Sequence, residues 1–204
     1  ISETVNLESD KTPDLILMPA VKTAFGNVCV GTGGGHTHGF WGNPNGAEIF
    51  NSDGKYLEAV NSLALVNENG TRVTPLADYT VYASWNQDAT AENMAFMLSC
   101  QLAAMKLNIT AGPALGFVDG NGFIITGTKT PIYVGGNNVN NGLISITNLM
   151  AAENEVLLAN PITVQDAPER SYQELLKNLL DSANNDNSIF VKTTPQPSLY
   201  TATP

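Results

Sequence analysis

Two stretches of this chain decide its fold: Gly39-Phe40-Trp41-Gly42-Asn43-Pro44-Asn45-Gly46, and Asn93-Met94-Ala95-Phe96-Met97-Leu98-Ser99-Cys100-Gln101-Leu102-Ala103-Ala104-Met105-Lys106-Leu107-Asn108. The first is an aromatic pair within a turn rich in glycine and asparagine. The second carries apolar residues on two faces of a helix, Met94, Leu98, Leu102 and Met105 on one and Met97, Cys100, Ala104 and Leu107 on the other. A helix that is apolar on both sides is buried on both. The sequence therefore predicts a central helix from about Thr90 to Asn108, ended by Gly112-Pro113.

Further helices are predicted on both sides of this central one. Residues 166–184 give the clearest pattern, with Asp166 as the predicted cap and one apolar stripe along the helix. The other predicted helices are residues 55–64, residues 75–86 with Pro75 near the start, and residues 143–159.

Hairpin signals complete the pattern. The strongest is Asp119-Gly120-Asn121-Gly122 between the apolar runs 115–118 and 123–126. A second, around Asn67-Glu68-Asn69-Gly70, competes with a helix for residues 62–66, and periodicity leaves both open. Further strands are predicted at 131–134 and 188–192, and the first thirty residues are predicted to be extended, with an apolar run at 15–18.

These elements predict an α+β fold, with a small helical core of about four helices, β hairpins and extended N- and C-terminal strands. The predicted organisation is an extended segment over residues 1–28, one globular domain over residues 29–191, and a Thr/Pro-rich tail over residues 192–204.

The charge balance restricts the partners. The chain has 204 residues and a net charge of −10, although only 14% of its residues are charged. A negative surface repels phosphate backbones and anionic lipids, so we expect neither a nucleic-acid partner nor membrane insertion, whereas cations remain plausible.

The first residue and the two cysteines indicate an extracellular setting. The chain starts at Ile1, as a mature form would after removal of a signal peptide, or as any expression boundary would. In a secreted protein Cys29 and Cys100 are expected to form a disulfide worth roughly 4 kcal/mol. The alternative is two separate buried thiols.

The only histidine pair is a candidate metal site. In an extended segment His36 and His38 would point the same way and could share one divalent ion, with Glu48 or Asp53 completing the site. The alternative, which we favour, is a polar loop that supports the neighbouring aromatic pair.

Two other motifs have a ligand interpretation and a structural one. Asp119 and Asn121 resemble the start of a calcium loop, but the glycine and glutamate that such a loop needs later are missing, which favours a turn. Phe40 and Trp41 are either a carbohydrate-stacking platform or a structural anchor. The glycines beside them allow close packing and favour the anchor.

Asn69 and Asn108 each match the N-glycosylation acceptor pattern. The sequence holds no nucleophile elbow, no phosphate-binding glycine loop and no recognisable Cys–His motif, so no catalytic residue is predicted.

From about Cys29 to Val191 the chain resembles a family of secreted and surface-exposed microbial proteins. That family is marked by a GFW or GYW motif followed by Asn/Lys/His-Pro or Asn-Gly, and by a helix of the form Asn-Met-Ala-…-Leu-Ser-…-Gln-Leu-Ala-Ala-Met-…-Leu-Asn. The resemblance extends to Leu65-Val66-Asn67-Glu68-Asn69-Gly70-Thr71, to Ser171-Tyr172-Gln173-Glu174-Leu175-Leu176-Lys177-Asn178-Leu179-Leu180-Asp181 and to Ala183-Asn184-Asn185, while Pro44 replaces an expected Lys. It implies a secreted or cell-surface, non-enzymatic module and transfers no ligand site.

The leading hypothesis is a secreted structural protein that assembles with itself into a filament, sheath or surface coat, its terminal strands pairing between subunits and no cofactor taking part. The alternative is an extracellular adhesion module that binds carbohydrate or calcium. The third hypothesis is a metalloenzyme at the His36–His38 loop.

Overall fold

The computed structural model describes residues 29–192, so the predicted extended segment 1–28 and residues 193–204 of the predicted tail lie outside the described residues. Within the described residues, Val30–Val191 form one compact unit. The hydrophobic core belongs to Val30–Val191.

Helices and short strands are interspersed along residues 29–192, which confirms the predicted α+β class. The helices there are α1 His38–Trp41, α2 Pro44–Asn51, α3 Lys55–Asn61, α4 Tyr79–Gln87, α5 Met94–Ala111, α6 Ile146–Ala159 and α7 Arg170–Asn184. The strands are β1 Val30–Gly31, β2 Phe123–Ile125, β3 Tyr133–Val134, β4 Asn137–Asn138, β5 Leu143–Ser145 and β6 Phe190–Val191.

Helix α5 is the centre of the fold, because fourteen of its eighteen residues are buried. It packs against α7, α3, α6 and α1, which together cover both of its apolar faces. The Asn93 side chain caps its start, and Gly112 ends it with a φ of 75° that favours glycine. By length and composition α5 could cross a membrane, but 78% of that stretch is buried inside the protein. It is the core helix of this fold.

Four predicted helix starts are wrong, since the structure begins α4, α5, α6 and α7 three or four residues later, and residues 143–145 form strand β5. Helix α4 follows Asp78, whose carboxylate accepts a first-turn N–H at 3.0 Å, and does not begin near Pro75. Helix α7 begins at Arg170 and not beside Asp166. The Arg170 guanidinium donates to the carbonyl oxygen of Thr163 at 3.3 Å, so a contact outside the helix holds this end in place.

Residues 62–66, for which a helix and a hairpin compete, are not helical. Helix α3 ends at Asn61, and Val66 then pairs with Arg72 across the turn at residues 67–70. In that turn the Asn67 side chain accepts two backbone N–H groups and replaces part of a strand ladder.

The strongest predicted hairpin forms its turn but not its strand pair. The Gly122 N–H donates to the Asp119 carbonyl at 2.9 Å, as in a tight turn. Residues 113–115, however, are a 3₁₀ helix. Strand β2 pairs instead with β5 and β6, in a four-stranded antiparallel sheet of order β1-β6-β2-β5. Partners that are distant in sequence replace the expected neighbour.

One face of this sheet is part of the core. Ile124 lies opposite Ile144 on one neighbouring strand and Phe190 on the other, and all three side chains are at most 5% exposed. Side chains alternate between the two faces of a strand, so the neighbours of these residues point away from the core.

The glycine run Gly33-Gly34-Gly35 encloses the carboxylate of Asp186, just beyond α7. Their three backbone N–H groups donate to the same Asp186 oxygen at 2.5, 2.8 and 3.2 Å. A Cβ on Gly34 would overlap the Gly116 carbonyl, and one on Gly35 would overlap that of Ala183. The glycines therefore allow this loop to lie close to the backbone of Gly116 and Ala183, and they also allow the chain to bend.

We expect Asp186→Ala to lower the free energy of unfolding by about 2–3 kcal/mol, because three N–H groups lose a charged acceptor. Asp186→Asn keeps an acceptor oxygen and should lose less. Asp166→Ala is the matched control, since that carboxylate is exposed. Urea unfolding of the three variants measures the differences in the free energy of unfolding. Equal stability of Asp186→Ala and the control would contradict this role of Asp186 in the glycine run.

Candidate functional site

The segment with both histidines forms a loop that turns into helix α1. The side chain of Thr37 caps the helix by accepting the N–H of Phe40 at 3.2 Å. The His36 ring packs between the rings of Phe40 and Phe117, with centroids 4.3 and 4.5 Å away. His36 thus takes part in an aromatic cluster.

Trp41 is fully buried beneath this loop and connects it to the central helix. Its indole N–H donates to the side-chain oxygen of Asn108 at 3.0 Å. The Asn108 amide donates in turn to the carbonyl of His36 and to the side chain of Asn184, at 2.8 and 3.0 Å. Asn184 then donates to both oxygens of Gln101. One chain of buried hydrogen bonds therefore joins α1, α5 and α7.

The four candidate metal ligands are not brought together. Among residues 29–192, no group of three His, Cys, Asp or Glu side chains is placed to hold a metal ion. The rule that residues i and i+2 point the same way applies to extended chain, whereas His38 is the first residue of a helix. Glu48 is exposed on α2, and Asp53 accepts the N–H of Lys55 before α3.

Both histidines are shifted toward the neutral form. Burial lowers the pKa of His36, and the nearby Asp186 carboxylate opposes this. Burial also lowers the pKa of His38, against the opposing effects of Asp181 and Asn86. The side-chain Nδ1 of His38 is buried and has no hydrogen-bond partner in the described residues.

The candidate calcium ligands belong to a turn. One Asp119 carboxylate oxygen accepts the N–H of Asn121 at 2.9 Å, an arrangement that orders the turn without an ion.

The two candidate glycosylation sites differ in access. Asn69 is exposed in the turn at residues 67–70, where an attached glycan would project into solvent. Asn108 is fully buried, and its side chain is used in the hydrogen bonds to Trp41 and Asn184. Asn108 is therefore no acceptor in the folded protein.

The predicted disulfide does not form. Cys29 and Cys100 are both free thiols, the first exposed and the second fully buried in α5. Burial raises the pKa of Cys100 well above its usual value, so this thiol stays protonated and packs as a small apolar group. Cys100 lies on a helix that other elements enclose on all sides. The spacing of the two cysteines in the sequence does not show this.

The outer face of the four-stranded sheet carries a row of apolar side chains. We call it the outer sheet face, and its apolar residues are Val30, Phe123, Ile125, Leu143 and Val191. None of these five side chains belongs to the hydrophobic core. Val30 is 43% exposed and Phe123 is 49% exposed, and the other three are half-buried. An apolar sheet face that faces solvent is typical of an interaction surface.

Strands β1 and β5 are the edge strands of this sheet. Within residues 29–192, β1 and β5 each pair with one neighbour only. Val30 and Val191, the first and last residues of the compact unit, lie directly opposite one another in β1 and β6. Both ends of the unit therefore leave from adjacent strands at one edge of the sheet.

Comparison of the chain with protein-family models, with curated proteins and with solved structures found no match. The function is therefore inferred from the geometry of the outer sheet face, the histidine loop and the buried polar groups.

Glu153 is the one carboxyl in the described residues that is fully buried and unpaired. It lies on α6 with 0% exposure, and neither of its oxygens has a hydrogen-bond partner there. Burial raises its pKa well above the ordinary value of 4.5. An unpaired carboxylate inside a protein is very unfavourable, so Glu153 is held in the neutral acid form.

This gives stability a defined dependence on pH. Above about pH 4.5 the unfolded chain loses the Glu153 proton while the folded protein keeps it, so the stability contributed by Glu153 falls as the pH rises toward the folded pKa. Glu153→Gln stays neutral, and its melting temperature minus that of the native protein should increase as the pH rises from about 4.5 toward the folded pKa of Glu153. Calorimetry measures this difference. Glu48→Gln, at an exposed helical position, should show no such trend, and a pH-independent difference for Glu153→Gln would refute the assignment.

Proposed function

We propose that this chain is an extracellular structural protein that assembles with itself, with the outer sheet face as the contact between copies. The single observation behind this is the row of apolar side chains on a sheet whose other face already completes the core. The resemblance to secreted and surface proteins supports the location, and the scarcity of charged residues suits a protein packed against copies of itself.

The N-terminal segment of a neighbouring copy is the proposed occupant of this face. Its sequence includes the apolar run Leu15-Ile16-Leu17-Met18 between Pro13 and Pro19. An apolar run of this length can add to a sheet edge, where backbone hydrogen bonds provide affinity and alternate side chains contact the sheet. The edge strand β1, which has one partner among the strands of residues 29–192, and the exposed Val30 and Phe123 offer both kinds of contact.

The length of the N-terminal segment allows such an exchange. Twenty-eight residues precede the described part of the chain, and extended they reach up to about 90 Å. A compact unit of the size of Val30–Val191 has a radius of gyration of about 15 Å and hence a diameter near 40 Å. A segment that leaves at the edge of the sheet can therefore extend beyond its own domain to the next copy.

Phe123→Thr should weaken the assembly about tenfold. Burial of this half-exposed ring contributes roughly 1–2 kcal/mol, and threonine keeps the preference for a strand. Leu158→Gln is the matched control, because Leu158 is 57% exposed but lies on α6, outside the sheet. Light scattering over a concentration series, with negative-stain imaging, measures assembly. A native protein that stays monomeric at high concentration would refute the proposal, as would equal effects of the two substitutions.

Deletion of residues 1–19 separates assembly from folding. The core residues lie between Trp41 and Phe190, so the shortened chain should unfold cooperatively and remain monomeric. Adding a synthetic peptide of residues 10–22 should then give a one-to-one complex that Phe123→Thr weakens. If the truncated protein assembles as the full chain does, the N-terminal segment is not the occupant.

A further inference from the structure

A second concave surface lies away from the sheet, between the end of α3 and the helices α5 and α6. It is a groove of about 320 Å³. Apolar side chains of Leu63, Ile109, Met150 and Ala151 line it, together with the polar side chains of Ser62, Lys106, Thr147 and Asn154. Nothing in the proposed assembly uses this groove.

Lys106 is the only charged residue that lines the groove, and it is also the only charged residue of α5. The half-buried cations of α7, by contrast, have carboxylate partners: Arg170 contacts Glu174 at 2.8 Å, and Lys177 contacts Asp181 at 3.3 Å. Within residues 29–192, Lys106 forms no ion pair. In a chain with nineteen acidic residues and nine basic ones, a half-buried lysine that forms no ion pair in the described residues is unusual.

Asn154 provides a second donor. Its side-chain oxygen accepts the N–H of Ala64 at 2.7 Å, which fixes the orientation of the amide and leaves its NH₂ group without an acceptor in the described residues. The Ser62 and Thr147 hydroxyls already pair with Ala59 and Ser145. The groove thus combines an apolar floor with two donors that have no acceptor in the described residues, and no carboxylate lines it. An anionic oxygen group attached to an apolar chain is the complement of this arrangement.

We propose that the groove binds a short aliphatic carboxylate, with the carboxylate at Lys106 and Asn154 and the hydrocarbon chain on Leu63, Ile109 and Met150. At roughly 30 Å³ for each heavy atom, taken from the volume of a water molecule, the groove holds about ten heavy atoms. Octanoate has this size. The ammonium group supplies the charge complementarity, and the buried side chains of Leu63 and Met150 supply the apolar contact.

The experiment is a titration of the ¹⁵N-labelled full chain with sodium octanoate, followed by NMR at micromolar protein and up to millimolar ligand. We expect saturable shifts of the amides at residues 62–64, 106–110 and 147–154. Lys106→Gln should weaken binding at least tenfold, and octanol should bind native protein and this variant equally weakly. Lys55→Gln is the matched control, because Lys55 is an exposed lysine at the start of α3, outside the groove.

Three results would overturn the inference: no saturable shift, shifts confined to the outer sheet face, or equal octanoate affinity of Lys106→Gln and native protein. The first and third leave the proposed assembly untouched, since neither the groove nor Lys106 takes part in it. Shifts at the outer sheet face would show that octanoate responds to exposed apolar surface in general.

Discussion

The structure depends on satisfying the polar side chains that α5 carries into the core. The helix is enclosed on all sides, yet it includes Ser99, Gln101 and Asn108, each at most 2% exposed. An unpaired buried donor or acceptor costs about 1–3 kcal/mol, so each of these side chains needs a partner at a fixed place. The apolar surface alone would let α5 rotate or slide among its neighbours, because it is similar on every side.

The partners come from elements that are far apart in the sequence. Ser99 accepts the N–H of Val66, Asn108 accepts from Trp41, and Asn184 joins Asn108 to Gln101. Because these groups are directional, they select one rotation of α5 and one position for α1 and α7. The glycine run that encloses the Asp186 carboxylate adds a second connection between the N-terminal loop and the end of α7. Helix packing and the glycine-rich loop are therefore parts of one arrangement.

The sequence predicted what depends on periodicity and missed what depends on distant partners. The buried central helix, the α+β class and the tight turn at Asp119 follow from local patterns. The strand partners of β2 do not, because apolar alternation shows that a strand has a buried side without showing which strand lies next to it. The starts of α4 and α7 were misplaced for a related reason, since Asp166 and Pro75 suit a helix start but other residues make the contacts.

In the candidate site, too, the sequence indicated residue types but not the distant residues that surround them. Residue type alone made His36 and His38 candidate metal ligands, whereas the structure places His36 in an aromatic cluster and His38 in a helix. The outer sheet face gave no sequence signal, because strands of two or three residues with apolar side chains on both faces show no alternation. Only the register of four strands reveals that Val30, Val191 and Phe123 form a row. A similar limit applies to Glu153, whose burial depends on helix packing.

The pairing of Val30 with Val191 also determines how the unit responds to mechanical force. When the two ends of the compact unit are pulled apart, the load enters at one end of the β1–β6 pair and acts across the strands. Its few hydrogen bonds then break one after another, as in a zipper, and do not share the load as they would under shear. Under such tension β1 would release first, at low force, while the helices around α5 remain folded. The compact unit would then lengthen at this edge of the sheet before its core unfolds.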